Sequence, residues 1–216
     1  MALVEAATTA LQFDEPTDDA GLLVARSGKV RFLVVPERRY FMIDGHGAPG
    51  SPGFQAAFAA LYPVAYTVHF ALKRRGVTAR VGALEGLYWF GGAEVPITSD
   101  GFAQHGPDDW SWRLLLPVPG AATAADIERA FAEVARKKAP AALRSLRVER
   151  WREGLAAQTL HVGSYDSETV TIAMLQDALA AAGLRARGCH HEIYISDPNR
   201  TAPDRLKTII RQPVAR

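Results

Sequence analysis

The sequence predicts an α+β domain made of two strand–helix–strand–strand units related by pseudo-twofold symmetry. Short runs rich in β-branched and aromatic residues alternate with stretches of helical periodicity, and both halves of the 216-residue chain present them in the same order. Short similarities also recur in order, with residues 84–88 matching 191–194 and residues 115–118 matching 211–214. We therefore expect antiparallel sheets with helices packed on one side and a ligand cleft between the halves.

The first unit, residues 30–118, begins with a strand that we expect to be interrupted by a kink at Pro36. A helix follows, because Ser51 is a plausible N-cap and Pro52 suits the first helical position. Three basic residues and Gly76 mark the end of this helix. The predicted strand segments of the unit are 30–35, 39–44, 79–90 and 110–118.

A helix at about residues 123–138 connects the two units, because Thr123 and Asp126 form a capping-box pattern. The second unit, residues 143–214, should contain a turn at 152–154, where a glycine follows two charged residues. Its predicted strands are 143–151, 155–163, 190–196 and 206–214. Its predicted helix lies between the second and third of these strands and is capped by Asp166 or Ser167. The apolar stripe of that helix is Val170, Met174, Ala178 and Leu179.

Composition limits the class of protein. The formal net charge is only +2 and the basic residues are scattered, which argues against a nucleic-acid partner. No apolar run reaches about 18 residues, so we expect no transmembrane helix and no membrane partner. A lone cysteine, Cys189, excludes a disulfide framework, and the N-terminus lacks a signal-peptide pattern. We therefore expect a cytoplasmic monomer, with residues 1–29 as an N-terminal extension and residues 30–216 as a single domain.

Two local patterns that could indicate a cofactor or a metal are interpreted as structural. Residues 45–50 match G-x-G-x-x-G, but dinucleotide binding also needs an acidic residue about 20 positions later, and residues 62–74 contain none. His190, His191 and Glu192 resemble a metal cluster, but on a strand His191 faces opposite to its neighbours, so the three cannot converge on one ion. We predict no cofactor and no metal site.

Aromatic and acidic residues on predicted strands carry the main functional signal. Trp110 and Trp112 share one face of a strand, and Glu192 and Tyr194 share one face of another. Tryptophan on a half-buried strand usually belongs to the core. A buried carboxylate is costly unless it is paired or functional. Glu192 can therefore be a general acid or base, the partner of a cationic ligand held by aromatic rings, or simply the partner of an arginine.

Six short motifs occur in order within residues 30–214. They are GHGAPG (45–50), LY (61–62), LEGLYW (84–89), WSW (110–112), HVGSYD (161–166) and HHEIYISDP (190–198). Together these motifs resemble the GyrI-like small-molecule-binding family, and the last one is the most specific. One departure is the pair Tyr88-Trp89, where we expect two tryptophans.

The resemblance implies the duplicated fold and its ligand cleft, and it extends to a stand-alone subfamily of cyclopropanoid cyclopropyl hydrolases. Members of that subfamily open the strained ring of duocarmycin-type DNA alkylators with water inside an aromatic cage. On this basis we expect Glu192 to orient or deprotonate the water, and Tyr88 or Tyr194 to donate to the developing oxyanion. The expected catalytic residues are Glu192 and Tyr194, and the expected ligand-binding cage is Phe41, Tyr88, Trp89 and Trp112.

Two other functions stay open at this point. One is a non-catalytic binder or sensor of aromatic or cationic drugs, which would protect the cell stoichiometrically and leave its ligand unchanged. The other is an inhibitor of a partner protein such as gyrase, which follows only from the name of the family and ranks last.

Overall fold

The computed structural model describes residues 11–92 and 94–216, so the first ten residues of the predicted N-terminal extension lie outside the described part. The helices are α1 (Asp19–Leu22), α2 (Pro52–Arg74), α3 (Gly101–Gln104), α4 (Ala124–Lys137) and α5 (Glu168–Ala181). The strands are β1 (Arg31–His46), β2 (Leu84–Phe90), β3 (Trp110–Pro117), β4 (Arg147–Val162), β5 (Arg185–Ala186), β6 (His190–Tyr194) and β7 (Lys207–Ala215). Among these residues no helix combines the length and the hydropathy needed to cross a membrane.

Six strands close into an antiparallel barrel. Their order is β4-β1-β3-β2-β6-β7, and β4 also pairs with β7, while the two-residue strand β5 lies beside β7. The successions β1-α2-β2-β3 and β4-α5-β6-β7 follow the predicted strand–helix–strand–strand order, which confirms the fold class. Equivalent strands of the two units pair with each other, β1 with β4 and β2 with β6. This pairing is what a pseudo-twofold axis between the units requires.

The two longest strands correct two predictions. β1 runs through Pro36 as a single strand, and residues 152–154 lie inside β4 rather than in a turn. β1 and β4 pair with each other on both sides of this region, with Val35 opposite Gly154. Gly154 has a φ of 78°, a conformation that glycine adopts at little cost. Extensive strand pairing thus overrides the local signals, and the glycine marks an irregularity within a strand.

The predicted capping residues mark the starts of two helices. Ser51 Oγ accepts a hydrogen bond from the Phe54 amide at 3.4 Å, at the start of α2. At the start of α4, Thr123 Oγ1 accepts from the Asp126 amide at 3.2 Å, and the Asp126 carboxylate accepts from the Thr123 amide at 3.0 Å. The reciprocal pair satisfies two amide donors that a helix start leaves unpaired, as the sequence pattern predicts.

The helices cover the outside of the barrel in two groups. α2 and α4 bury one apolar cluster against β1 and β3, and α5 buries a second through Ile172, Leu175 and Leu179. The buried face of α5 is rotated from the predicted stripe, since Val170 is 75% exposed. Apolar residues surround most of α5, so spacing alone does not identify its inner face. Each unit therefore keeps its long helix on the outer side of the sheet.

Candidate functional site

A cavity of about 1240 Å³ opens between α2 of the first unit and the β6 and α5 region of the second. Its size is generous for a drug-sized ligand. The aromatic rings of its wall belong to Phe54, Phe58, Tyr62, Tyr66, Trp110, Tyr165 and Tyr194. The carboxyl groups of its wall belong to Asp166, Glu168, Glu192 and Asp197. The cavity therefore combines flat apolar surfaces with negative charge.

One wall of the cavity is a ladder of aromatic rings on α2. Phe54, Phe58, Tyr62 and Tyr66 follow one another at four-residue intervals, so consecutive rings are neighbours on the helix surface. The Phe58 and Tyr62 rings stack with centroids 6.1 Å apart, and the Tyr62 and Tyr66 rings stack at 6.2 Å. Each step advances about 40° around the helix. The ladder thus passes from the core at Phe54, which is 6% exposed, to the surface at Tyr66.

The opposite wall contains a hydrogen-bonded chain that ends at Glu192. His190, Glu192 and Tyr194 share one face of β6 because alternate residues of a strand do so. His190 Nε2 donates to Glu192 Oε1 at 3.0 Å, and the Tyr194 hydroxyl donates to Glu192 Oε2 at 2.7 Å. The hydroxyl of Tyr88, on β2, lies 2.5 Å from that of Tyr194. Since the Tyr194 hydrogen goes to Glu192, Tyr88 is the donor to Tyr194.

These contacts determine which groups carry protons. Burial alone would raise the pKa of Glu192, but hydrogen bonds from His190 and Tyr194 hold that pKa below its ordinary value of 4.5. Burial, together with the charge of Glu192, raises the pKa values of Tyr88 and Tyr194 well above 10. At neutral pH Glu192 can therefore accept a proton, while both phenols keep theirs.

Gly86 provides the space in which the Tyr88 ring lies. A Cβ atom at position 86 would be 2.6 Å from Tyr88 Oη, which is far inside van der Waals contact. Gly86 is paired opposite Glu192 in the sheet, so its missing side chain leaves room for the Tyr88 phenol beside Tyr194.

Glu168, the first residue of α5, brings a second carboxyl group next to Glu192. It is 4% exposed, and its Oε1 atom has no hydrogen-bond partner. Burial and the neighbouring Glu192 raise the pKa of Glu168 to about 10. Glu168, His190 and Glu192 each offer a donor atom, and the three atoms lie within 4.8 Å of one another, close enough to hold a metal ion.

The inner face of β6 carries a separate charged network inside the barrel. His191 Nδ1 donates to Glu153 at 2.9 Å and its Nε2 donates to Glu85 at 3.1 Å, so the imidazole is protonated. Arg211 donates to Glu153 at 3.1 Å and to the Gln158 side chain at 2.8 Å. Burial alone would lower the pKa of His191, but the two carboxylates raise that pKa above its ordinary value. Glu153 is thus paired with His191 and Arg211, and Glu85 with His191 and with Arg38, whose guanidinium lies 3.6 Å from it.

Comparisons with known proteins identify the family. A family model described as the GyrI-like small molecule binding domain matches residues 126–215. The crystal structure of a hydrolase from Listeria innocua is 30% identical, with a TM-score of 0.74, and the match covers 94% of this chain and 100% of that one. The chain belongs to the GyrI-like family. Its domain is accordingly a small-molecule-binding one, and the cavity is the candidate ligand site.

Two further structures resemble this GyrI-like protein. An uncharacterized conserved protein from Listeria innocua is 29% identical, with a TM-score of 0.79 and coverage of 94% of this chain and 100% of that one. The EcmrR C-terminal domain is 12% identical, with a TM-score of 0.52 and coverage of 87% and 98%, so it shares the fold alone. A comparison with curated proteins gives no match.

The cavity of this GyrI-like domain brings together part of the predicted site. Glu192 and Tyr194 line it, and Tyr88 lies directly behind Tyr194. His191 faces away from Glu192, as the strand geometry predicts, but Glu168 approaches from a helix that is far away in sequence. Glu168 and the aromatic ladder were not predicted from the sequence to contact the ligand. The four-residue spacing of the rings was the available signal for the ladder.

The other three predicted cage residues lie elsewhere. Phe41 and Trp112 are buried in the core cluster under α2 and α4, at 0% and 2% exposure. The Trp112 ring lies against Gly45, where a Cβ atom would be 2.0 Å from it. Trp89 belongs to another cluster, on the opposite side of β2 from Tyr88, with the Arg113 guanidinium 5.9 Å from its ring centre. None of the three is among the residues that line this cavity.

Proposed function

We propose that this GyrI-like protein adds water to an electrophilic ring of a flat aromatic substrate, with duocarmycin-type cyclopropanoid alkylators as the substrate class. The observation that carries the proposal is an ionised carboxylate, Glu192, in the wall of a large aromatic cavity. The hydrolase from Listeria innocua, 30% identical over nearly the whole chain, supports a hydrolytic reaction. Ring opening would destroy the alkylating group and so give detoxification or self-resistance.

Ring opening needs a proton acceptor for water and a donor for the charge that develops on the dienone oxygen. Water attacks a cyclopropane carbon, the C–C bond to that carbon breaks, and Glu192 takes a proton from the water. The electron pair of the broken bond moves to the dienone oxygen, and the Tyr194 hydroxyl, which donates to Glu192 in the free protein, turns its hydrogen to that oxygen. Tyr88 is 1% exposed and donates to Tyr194, so it positions that hydroxyl rather than touching the substrate.

The aromatic ladder on α2 explains why a flat substrate suits the cavity. Phe58, Tyr62 and Tyr66 follow one another along the wall, with their rings nearly parallel. Trp110 lines the cavity from β3. Offset stacking on such rings holds a planar ligand without requiring a particular pattern of hydrogen bonds. The reacting ring can then lie beside Glu192 while the rest of the ligand stacks on the ladder.

The test is turnover of a cyclopropanoid alkylator, with the ring-opened product followed by mass spectrometry. We expect Glu192→Gln to reduce the rate by at least about a hundredfold, because it removes the proton acceptor and keeps the shape. Glu37→Gln, at an exposed acid on β1, is the control and should leave the rate unchanged. The assignment of Glu192 is contradicted if Glu192→Gln turns over at the wild-type rate, and the hydrolase proposal if the wild type forms no product.

A second candidate function, capture of aromatic cations without turnover, is favoured by the charge of the wall. Among the described residues that line the cavity, four are acidic and none is lysine, arginine or histidine. Such a wall attracts a cation, and the rings can contact it through their faces. In that case the ligand is recovered unchanged and protection saturates at one ligand per site.

A further inference from the structure

We propose that Glu168, His190 and Glu192 form a binding site for one divalent transition-metal ion, with Zn²⁺ as the ion that suits the donors best. The three side chains come from two elements, the start of α5 and one face of β6. Each offers one donor atom, and these atoms lie within 4.8 Å of one another. All three residues are buried. The site is therefore formed by the fold rather than by a local sequence motif.

The arrangement of Glu168 gives an independent reason to expect a cation. Its side chain is 4% exposed and lines the cavity, yet its Oε1 atom has no hydrogen-bond partner. A buried carboxyl oxygen without a partner is costly. A second carboxyl group, that of Glu192, lies beside it, and no lysine, arginine or histidine is among the described residues that line the cavity. A metal ion would supply the missing partner and would take the place of the proton on Glu168.

The donor types favour zinc over the alkaline-earth ions. Imidazole nitrogen with carboxylate oxygen suits Zn²⁺, whereas Mg²⁺ and Ca²⁺ prefer an all-oxygen shell. Ligand atoms about 2.0–2.2 Å from a tetrahedral zinc ion are about 3.3 Å apart. His190 Nε2 and Glu192 Oε1 are 3.0 Å apart, so little movement would be needed to admit the ion between them. Three protein ligands leave a fourth position for water or a ligand on the cavity side.

The metal site does not depend on the proposed hydrolysis, but both involve the Glu192 carboxylate. A bound ion would coordinate the Glu192 carboxylate, which the hydrolytic proposal uses as the proton acceptor for water. Zn²⁺ should therefore inhibit ring opening, and chelator-treated protein should be the active form.

The experiment is calorimetric titration of the chelator-treated full-length protein with Zn²⁺. We expect one ion per chain, and at least a tenfold loss of affinity in both Glu168→Gln and His190→Gln. Asp166→Asn is the matched control, because Asp166 is an exposed acid of the same cavity outside the cluster, and it should keep the wild-type affinity. Mg²⁺ should not displace the bound Zn²⁺. Circular dichroism of each variant establishes that it is folded.

A second measurement needs no variant. Co²⁺ added to the wild-type protein should give the intense visible absorption of a four-coordinate site, and Zn²⁺ should abolish it. The proposal is overturned if the wild type binds no Zn²⁺, or if both cluster variants bind it as tightly as the wild type. If Zn²⁺ binds but chelator-treated protein does not open the ring, the hydrolase proposal fails and the metal site stands.

Discussion

The two faces of strand β6 differ in whether the charged and polar groups on them all have partners. On the inner face, His191 is held between Glu153 and Glu85, and Arg211 adds a second cation to Glu153. On the outer face, Glu192 shares its surroundings with another carboxyl group, and one oxygen of that group has no partner. His191 and Glu192 adjoin in sequence, but His191 belongs to a network of paired charges, and Glu192 to a cluster in which one carboxyl oxygen has no partner.

This difference separates charges that stabilise the fold from charges that bind ligands. A buried ion pair whose hydrogen bonds are all satisfied gains nothing from an added molecule. A buried carboxyl group with an oxygen that lacks a partner gains from any molecule or ion that supplies one. We therefore assign the inner face to stability and the outer face to binding, and the following substitutions test that assignment.

The largest expected effect concerns the inner face. Arg211→Met keeps most of the side-chain volume but leaves Glu153 with one cation fewer and Gln158 without its donor. We expect a loss of about 3–5 kcal/mol in the free energy of unfolding, measured with urea. Arg150→Met is the control, since Arg150 forms an exposed pair with Glu37 on the barrel surface and should cost about 0–1 kcal/mol. Equal losses in the two variants would show that the inner network is not structural.

The next largest effect concerns the space for the Tyr88 phenol. Gly86→Ala would place a methyl group 2.6 Å from Tyr88 Oη, so the ring must move and its hydrogen bond to Tyr194 must lengthen. We expect a loss of about 1–3 kcal/mol in the urea unfolding free energy. Gly92→Ala, where a Cβ atom meets nothing within 4 Å, is the control. A stability of Gly86→Ala equal to that of the control would contradict the packing described here.

A smaller effect is expected on the pH dependence of stability. Because the pKa of His191 is raised in the folded state, the native protein holds a proton that the unfolded chain releases above about pH 6.5. The stabilisation is complete below that pH and is lost as the pH rises through the folded-state pKa. Urea midpoints measured from pH 6 to pH 9 should fall less steeply in His191→Gln than in the wild type. Parallel curves would mean that His191 is not the protonated member of the network.

Much of the fold was predictable because its signals are local. Ser51 with Pro52, and Thr123 with Asp126, carry capping chemistry that is the same in most surroundings, and both helices begin there. Residues 152–154 show the limit of this reasoning. A glycine after charged residues is a turn signal, but here the partner strand β1 lies alongside and keeps the chain extended. Which strands are partners is decided by the whole barrel, not by a short segment.

The candidate site was predictable where the alternation of side chains along a strand determines the face on which each residue lies. Period-two geometry alone places Glu192 and Tyr194 on one face and His191 on the other, and the hydrogen bonds agree. The approach of Glu168 depends on how α5 docks, which residue spacing does not reveal. The expected cage of Phe41, Tyr88, Trp89 and Trp112 likewise depended on which of these residues the core receives, and Phe41 and Trp112 lie in the core cluster with residues of α2.

The smallest expected effect compares two tryptophans on the two sides of the sheet. Trp110 lines the cavity, whereas Trp89 lies on the opposite side of β2 beside Arg113. Trp110→Leu should weaken binding of a ring-opened, unreactive duocarmycin analogue about tenfold, roughly 1.4 kcal/mol, because it removes one stacking surface. Trp89→Leu should leave the affinity, measured by calorimetry, unchanged. A greater loss in Trp89→Leu would place the ligand on the other side of the sheet and reverse the assignment of the two faces.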